Sequence, residues 1–388
     1  MTTRPRPTDP ARRAPMWRRT LRSPWILLVA ALAILLPLEP RLRQMRQSRY
    51  PLAGSPAGQP VWVQVVMVGL GGFRGLISEV LWLRASRLQE QGRYFEQVQL
   101  AEWITALDPR ATDAWVFNAW NLAYNISAMM PRHTDRLTWI EAGIALLRDR
   151  AIPANPGDAR LYRELGWLFQ NKVGEDFDAA HLLYKLELAR GLADALLPDG
   201  APPAADSEAA ALLLARFRLD AVAMRRLEEE LGARFDWRLP HVHAIYWAWN
   251  GLPFADGFEH QALRRMIHQN LMVLVERGRF TGDLAQGRYE TRPDLGLIPV
   301  TERFLEATVR QYPNERDIHA RFLAVAIRFL TRAGDAEGAR QRYDRLRQLA
   351  GQRHYLPPLE QLAAGEIPED FFQPLPPPPP AAAPPAGD

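Results

Sequence analysis

Gly92-Arg-Tyr-Phe-Glu-Gln-Val-Gln-Leu-Ala-Glu-Trp-Ile-Thr-Ala-Leu-Asp-Pro109 is the stretch on which the fold turns. It predicts one helix with both ends marked. Gly92 is placed for a turn and Tyr94 opens the helix. Asp108-Pro109 stops it, because proline has no amide hydrogen with which to continue the ladder. Upstream, residues 75–91 (GLISEVLWLRASRLQEQ) repeat apolar positions at helical spacing through Leu76, Val80 and Leu83, with Leu81 and Leu88 beside them. The two segments make a helical hairpin turning at Gly92. Trp115, six residues past Pro109, supplies the first large core residue of the next helix.

These positions resemble the tetratricopeptide (TPR) repeat, a helix–turn–helix of 34 residues that binds partners and carries out no chemistry of its own. In that resemblance Ala85 is the small residue at the closest helix approach, and Gln97 departs from the family by replacing an alanine. Ala119 takes the small position of the next unit. Its second helix, Trp139–Leu147, is expected late, after Met129, Met130 and Pro131, so that Pro109 and Pro156 stand 47 residues apart. A third unit runs from Tyr162-Arg-Glu-Leu165-Gly166 through Phe177, Ala180 and Tyr184. A fourth starts at His243–Trp249 with Gly257 and Ala262, and a weaker fifth runs from Ile318 through Gly334, Ala339 and Tyr343. Between them Ala210–Gly232 reads as helical, with Arg225/Glu229 and Arg226/Glu230 on a solvated face. Each degenerate match is equally an ordinary helical hairpin. The blocks at residues 71–104 and 236–252 also resemble segments of uncharacterised bacterial membrane-anchored TPR-like proteins, and no activity comes with that likeness.

The resemblance implies an all-α fold: a right-handed superhelix of TPR-like hairpins over residues 61–355, with irregular insertions near 127–138 and 196–210. Ahead of it are expected a basic cytoplasmic N-terminus (1–22), a transmembrane signal-anchor (23–39) and a linker (40–60). A disordered proline-rich tail (356–388) is expected behind, ending in an extended polyproline run from Leu375.

The anchor rests on Pro24–Leu38, fifteen residues without a charge. A helix of that length covers about 22 Å, short of the ~30 Å hydrocarbon core, and flanking arginines can snorkel to close the gap. A cleaved signal peptide is the alternative. Seven arginines precede the span and four follow it closely, which places the body on the exported side. The run Val61–Phe73 is apolar too, and as a second span it would reverse that topology.

The formal net charge of +4 belongs to the N-terminus: residues 1–22 carry +6 and 23–49 carry +3, leaving −5 for the rest. A mildly acidic body argues against nucleic acid as partner. Arginine outnumbers lysine 46 to two, the lysines being Lys172 and Lys185. Without cysteine there is no disulfide, zinc–thiolate site or thiol nucleophile.

Little else carries chemistry. Met67–Gly75 has glycines after an apolar run, but Arg74 stands where a dinucleotide fingerprint needs glycine. His241 and His243 begin a helix and point about 200° apart, which suits core histidines better than metal ligands. No nucleophile elbow or carboxylate dyad is present, so neither an enzyme, a cofactor nor a metal is expected. Asn118, Asn121 and Asn125 form the one polar stripe, spaced three and four along a first helix. Carboxamides donate and accept, as needed to bind an extended peptide; they serve as well to satisfy loop carbonyls. The expected function is a membrane-anchored scaffold or adaptor for other proteins or extended peptides of the cell envelope. The alternatives are a structural subunit of an envelope transport or secretion assembly, and an enzyme with its site in the inserted segments.

Overall fold

The computed structural model describes residues 74–351 and 354–374. The basic N-terminus, the span Pro24–Leu38, the linker, the run Val61–Phe73 and the polyproline run from Leu375 lie outside the described residues. The described part is all-α apart from one two-stranded ribbon, β1 (Arg279–Phe280) with β2 (Thr291–Arg292). Among the described residues no helix is long and apolar enough to cross a membrane.

The opening hairpin forms as its local chemistry dictates. Helix α1 (Arg74–Glu90) and α2 (Tyr94–Leu107) are joined at Gly92, whose φ of +69° is left-handed and favours a residue without Cβ. Ala85 is fully buried at the approach. The departure at Gln97 has a physical reason: its Nε2 donates to the Ala85 carbonyl (3.1 Å), so the longer side chain ties the helices together. The stripe Val80/Leu83 faces outward, however, while Leu88 and Ala85 face in.

Helix α3 (Thr112–Trp120) does not stop at its α-helical end. It continues through a π-helical stretch, Asn121–Ile126, to a last turn, Ser127–Met129. Helix α4 (His133–Ala145) likewise passes through π-helical Leu146–Ala151 into Ile152–Ala154. The extra residues of this unit are therefore absorbed by longer helices, and residues 127–138 are irregular only at 130–132. Gly143 lets α4 close on α3, since a Cβ there would lie 2.8 Å from the Ala119 oxygen.

Helix α5 (Ala159–Trp167, then π-helical Leu168–Val173) is capped by Asp158, whose side chain accepts from Arg160 N. Ala180 is buried but precedes α6 (His181–Ala193) instead of lying within it. Residues 194–207 form no regular element, whereas 208–210, the end of the insertion expected near 196–210, already belong to a helix. Ala210–Gly232 is two helices, α7 (Glu208–Phe217) and α8 (Ala221–Leu231). Arg218 ends the first in a left-handed conformation (φ 56°) and Asp220 caps the second. Of the two expected ion pairs there, Arg226–Glu230 forms at 2.9 Å.

Helix α5 packs in the main core against α9 (Pro240–Gly251) and α10 (Gly257–Arg277), both distant from it in sequence. Gly166 makes that approach possible: a Cβ would come within 2.6 Å of Met266 Sδ and 3.2 Å of the Ala244 oxygen. Helix α11 (Ile298–Gln311) leads to the hairpin of α12 (Arg316–Arg332) and α13 (Ala336–Ala350), turning at Gly334 with φ +82°. Part of the expected disordered tail (356–388) is ordered: residues 356–374 have a defined structure. Residues 354–374 include α14 (Leu359–Ala364) and bury Phe371 and Phe372 in the main core.

Candidate functional site

Helix α3 lies between two hollows. The first, bounded by α2, α3 and α4, has a volume of about 390 Å³. Val98, Leu122, Trp139 and Leu146 form its apolar wall, and Glu102, Asp149 and Arg150 are charged lining residues. The second, bounded by α1, α3 and α5, holds about 660 Å³. Its wall is aromatic: Trp82, Phe117, Trp120 and Tyr124, with Gln89 on α1. The π-helical stretch of α3 contributes to both, Leu122 to the first and Asn121, Tyr124 and Asn125 to the second. A π turn takes an extra residue, and such turns recur at functional positions.

The asparagine stripe faces α2 and divides by role. Asn121 is buried, and its Nδ2 donates to the Tyr94 carbonyl (3.1 Å) at the start of α2. Its Oδ1 accepts from Asn125 Nδ2 (3.1 Å). Both ends of that amide are engaged within the fold. Asn118, one turn earlier, is only 2% exposed and lines the first hollow, and its Oδ1 has no hydrogen-bond partner among the described residues.

Two rings of the second hollow are held by hydrogen bonds. Trp120 Nε1 donates to Glu164 Oε2 (2.9 Å) and Trp120 stacks on Tyr124 at 4.7 Å. Tyr124 donates to Asn171 Oδ1 (2.8 Å), and the Lys172 ammonium sits 5.4 Å over its ring. Burial pushes the Tyr124 hydroxyl above the ordinary tyrosine range, so it stays a neutral donor.

Sequence reasoning passed over an ionic cluster beside these rings. Both lysines are buried, at 4% and 5% exposure, and each holds an aspartate of the loop before α6. Lys172 Nζ donates to Asp178 (2.9 Å), and Lys185 Nζ to Asp176, which also accepts from Arg277 (2.7 Å). Partial burial alone would raise the Asp176 carboxyl, but the hydrogen bonds and charges of Lys185 and Arg277 outweigh it and hold it well below the usual range. The available signal was compositional: in a chain with 46 arginines, two retained lysines mark sites that need a compact cation.

The other sequence candidates are dispersed. His241 and His243 are buried in α9. His243 Nε2 is 2.9 Å from the Trp237 oxygen, and its ring stacks on Phe169. Burial lowers them to about 3 and about 4 respectively, so both rings are neutral near pH 7. Among the described residues no group of three His, Cys, Asp or Glu side chains is placed to hold a metal ion. Of the glycine-bearing run Met67–Gly75, only Arg74 and Gly75 are described, in the first turn of α1. Of the repeat positions, Gly92 turns into α2, Tyr94 opens it and Pro109 follows it, while Trp115 and Ala119 are buried on α3, with Trp115 Nε1 donating to the Pro109 carbonyl (2.9 Å). No protein-family model matches the chain, and no curated protein is significantly similar to it.

Proposed function

We propose that this chain is a membrane-anchored docking scaffold of TPR type, whose exported body holds partner proteins of the cell envelope through the hollows flanking α3. The supporting observation is the second hollow: four aromatic side chains line an open concavity, and two of them, Trp120 and Tyr124, are held in place by hydrogen bonds to Glu164 and Asn171. Rings fixed in this way lose little freedom when a partner stacks on them, which is what makes aromatic residues effective anchors. The hairpins of α1–α2 and α3–α4 correspond to the first units of a right-handed superhelix, and the anchor is the Pro24–Leu38 segment. The partner is an extended segment of protein, not nucleic acid, since the body carries a net negative charge.

Site-directed photocrosslinking in cells tests this. A benzophenone side chain placed at Gln89, exposed at the edge of the second hollow, is expected to give a discrete protein adduct. The same probe at Arg347, exposed on α13, is expected to give none. No adduct from Gln89, or the same adducts from both positions, would remove the docking role. Topology is checked separately with reporters fused at residues 60 and 350, both expected to read as exported. A cytoplasmic result at residue 350 alone would make Val61–Phe73 a second span.

A further inference from the structure

Four helices of the body start on the same edge. Short turns at Gly92 and at 108–111 make α1, α2 and α3 an up–down–up series, with Gln97 on Ala85 and Asn121 on Tyr94, so α1 and α3 are parallel. Contacts from α3 to α5 advance together, Asp113 with Arg160, Trp120 with Glu164 and Tyr124 with Asn171, so α5 runs the same way. The same holds from α5 to α10, where Arg163 meets Glu259 and Gln170 meets Asn270. The first turns of α1, α3, α5 and α10 therefore share one edge.

The link from α9 to α10 lies on that edge and displays two rings. Phe254 is 50% exposed, and Phe258, at 74%, is the most exposed large apolar side chain among the described residues. Phe254 stacks on Tyr162 in the first turn of α5 (5.7 Å), which fixes the loop in place. Large apolar groups kept in water mark a contact with protein or with lipid. Chain connectivity selects lipid. The chain enters α1, on this same edge, directly from Val61–Phe73, thirteen residues without a charge. The opposite edge has an exposed ring as well, Phe177, but there the Lys172 ammonium lies 6.0 Å from the ring.

We infer that the edge formed by the starts of α1, α3, α5 and α10 rests on the bilayer surface, with Phe254 and Phe258 entering the boundary between headgroups and acyl chains. The inference rests on the membrane-anchored part of the proposed function and is independent of the hollows. Asp256, exposed between the two rings, limits the depth, because a carboxylate is too costly to carry into hydrocarbon. This posture turns the Gln89 end of the second hollow away from the bilayer.

The chain has no cysteine, so a single nitroxide label can be attached without other changes. The label is placed by Pro253→Cys, beside the two rings, or by Phe177→Cys on the opposite edge, in the full chain in phosphatidylethanolamine–phosphatidylglycerol nanodiscs. Its collisions with oxygen, which concentrates in lipid, are compared with those with a water-soluble nickel complex. The oxygen-to-nickel ratio is expected to be several-fold higher at 253 than at 177. Adding Phe258→Ser, at a side chain too exposed to matter for folding, should pull the ratio at 253 toward that at 177. Equal ratios at the two positions overturn the inference, and so does a ratio at 253 that Phe258→Ser leaves unchanged. A label at 253 that is immobilised yet aqueous also overturns it, by showing that protein covers the rings. Co-elution with the discs separates this from the anchor. A chain that co-elutes with an aqueous 253 label loses only this contact, and a chain that does not co-elute loses the anchor and the contact together.

Discussion

Asn121 and Asn118 show how two identical side chains one turn apart come to do opposite things. The amide of Asn121 closes a chain of bonds from Asn125 to the Tyr94 carbonyl, so it pins the start of α2 onto α3. Asn121→Ala strands both partners, and unfolding in urea should show a loss of about 1–3 kcal/mol. Asn118→Leu removes an acceptor that nothing among the described residues pairs with, so the same measurement should show no loss. Gly166 is the other residue on which packing hangs. Gly166→Leu would drive a side chain into Met266 and the Ala244 carbonyl, and a thermal melt should show about 1–3 kcal/mol of destabilisation or outright failure to fold. An unchanged midpoint would mean that α5 does not sit against α9 and α10 as described.

At the scale of elements, what was legible in the sequence is what local chemistry decides. Gly92 and Asp108-Pro109 bracket α2 because a left-handed turn and a missing amide hydrogen act within a few residues. The facing of α1 was not legible: apolar residues lie on two sides of it, and periodicity cannot say which side the rest of the body covers. The π-helical stretches in α3, α4 and α5 carry no proline or glycine signal in the turn itself, so a regular repeat was expected where longer helices occur. Of the site, the asparagines were legible as a stripe, but which amide was left unengaged depended on where α2 crosses. The buried lysines needed the third dimension altogether. The C-terminal boundary was misplaced because a short helix among prolines has little periodicity, yet Phe371 is fully buried. Phe371→Ala should cost about 3–5 kcal/mol in a thermal or chemical melt, whereas ending the chain after Pro374 should leave the midpoint where it is. If both changes are neutral, the segment 354–374 is not part of the core.

For the whole molecule, buried histidines set the response to acid. Burial lowers His241 to about 3, and His243 and His268 to about 4, while His260 and His319 shift in the same direction. The unfolded chain takes up protons near the ordinary histidine value of about 6.5, before the folded chain does, so stability rises with pH between those limits. Stability is therefore full above about pH 7. It falls as pH drops, by up to about 1.4 kcal/mol per unit for each buried histidine. Melting the full chain at pH 7.5 and at pH 5 should place the acid midpoint several degrees lower, and equal midpoints would contradict the burial of these rings. Depressed carboxylates such as Asp176 withdraw their own contribution only at still lower pH. The two interior lysines carry a different implication, for how the protein meets reagents and proteases. Amine-directed labels find no lysine on the folded surface, and a lysine-specific endoproteinase has two sites in the whole chain, both shut inside the α5–α6 region. Cleavage there must wait for that region to open. The rate of cutting thus serves as a built-in clock for local unfolding, read from the appearance of fragments ending at Lys172 or Lys185.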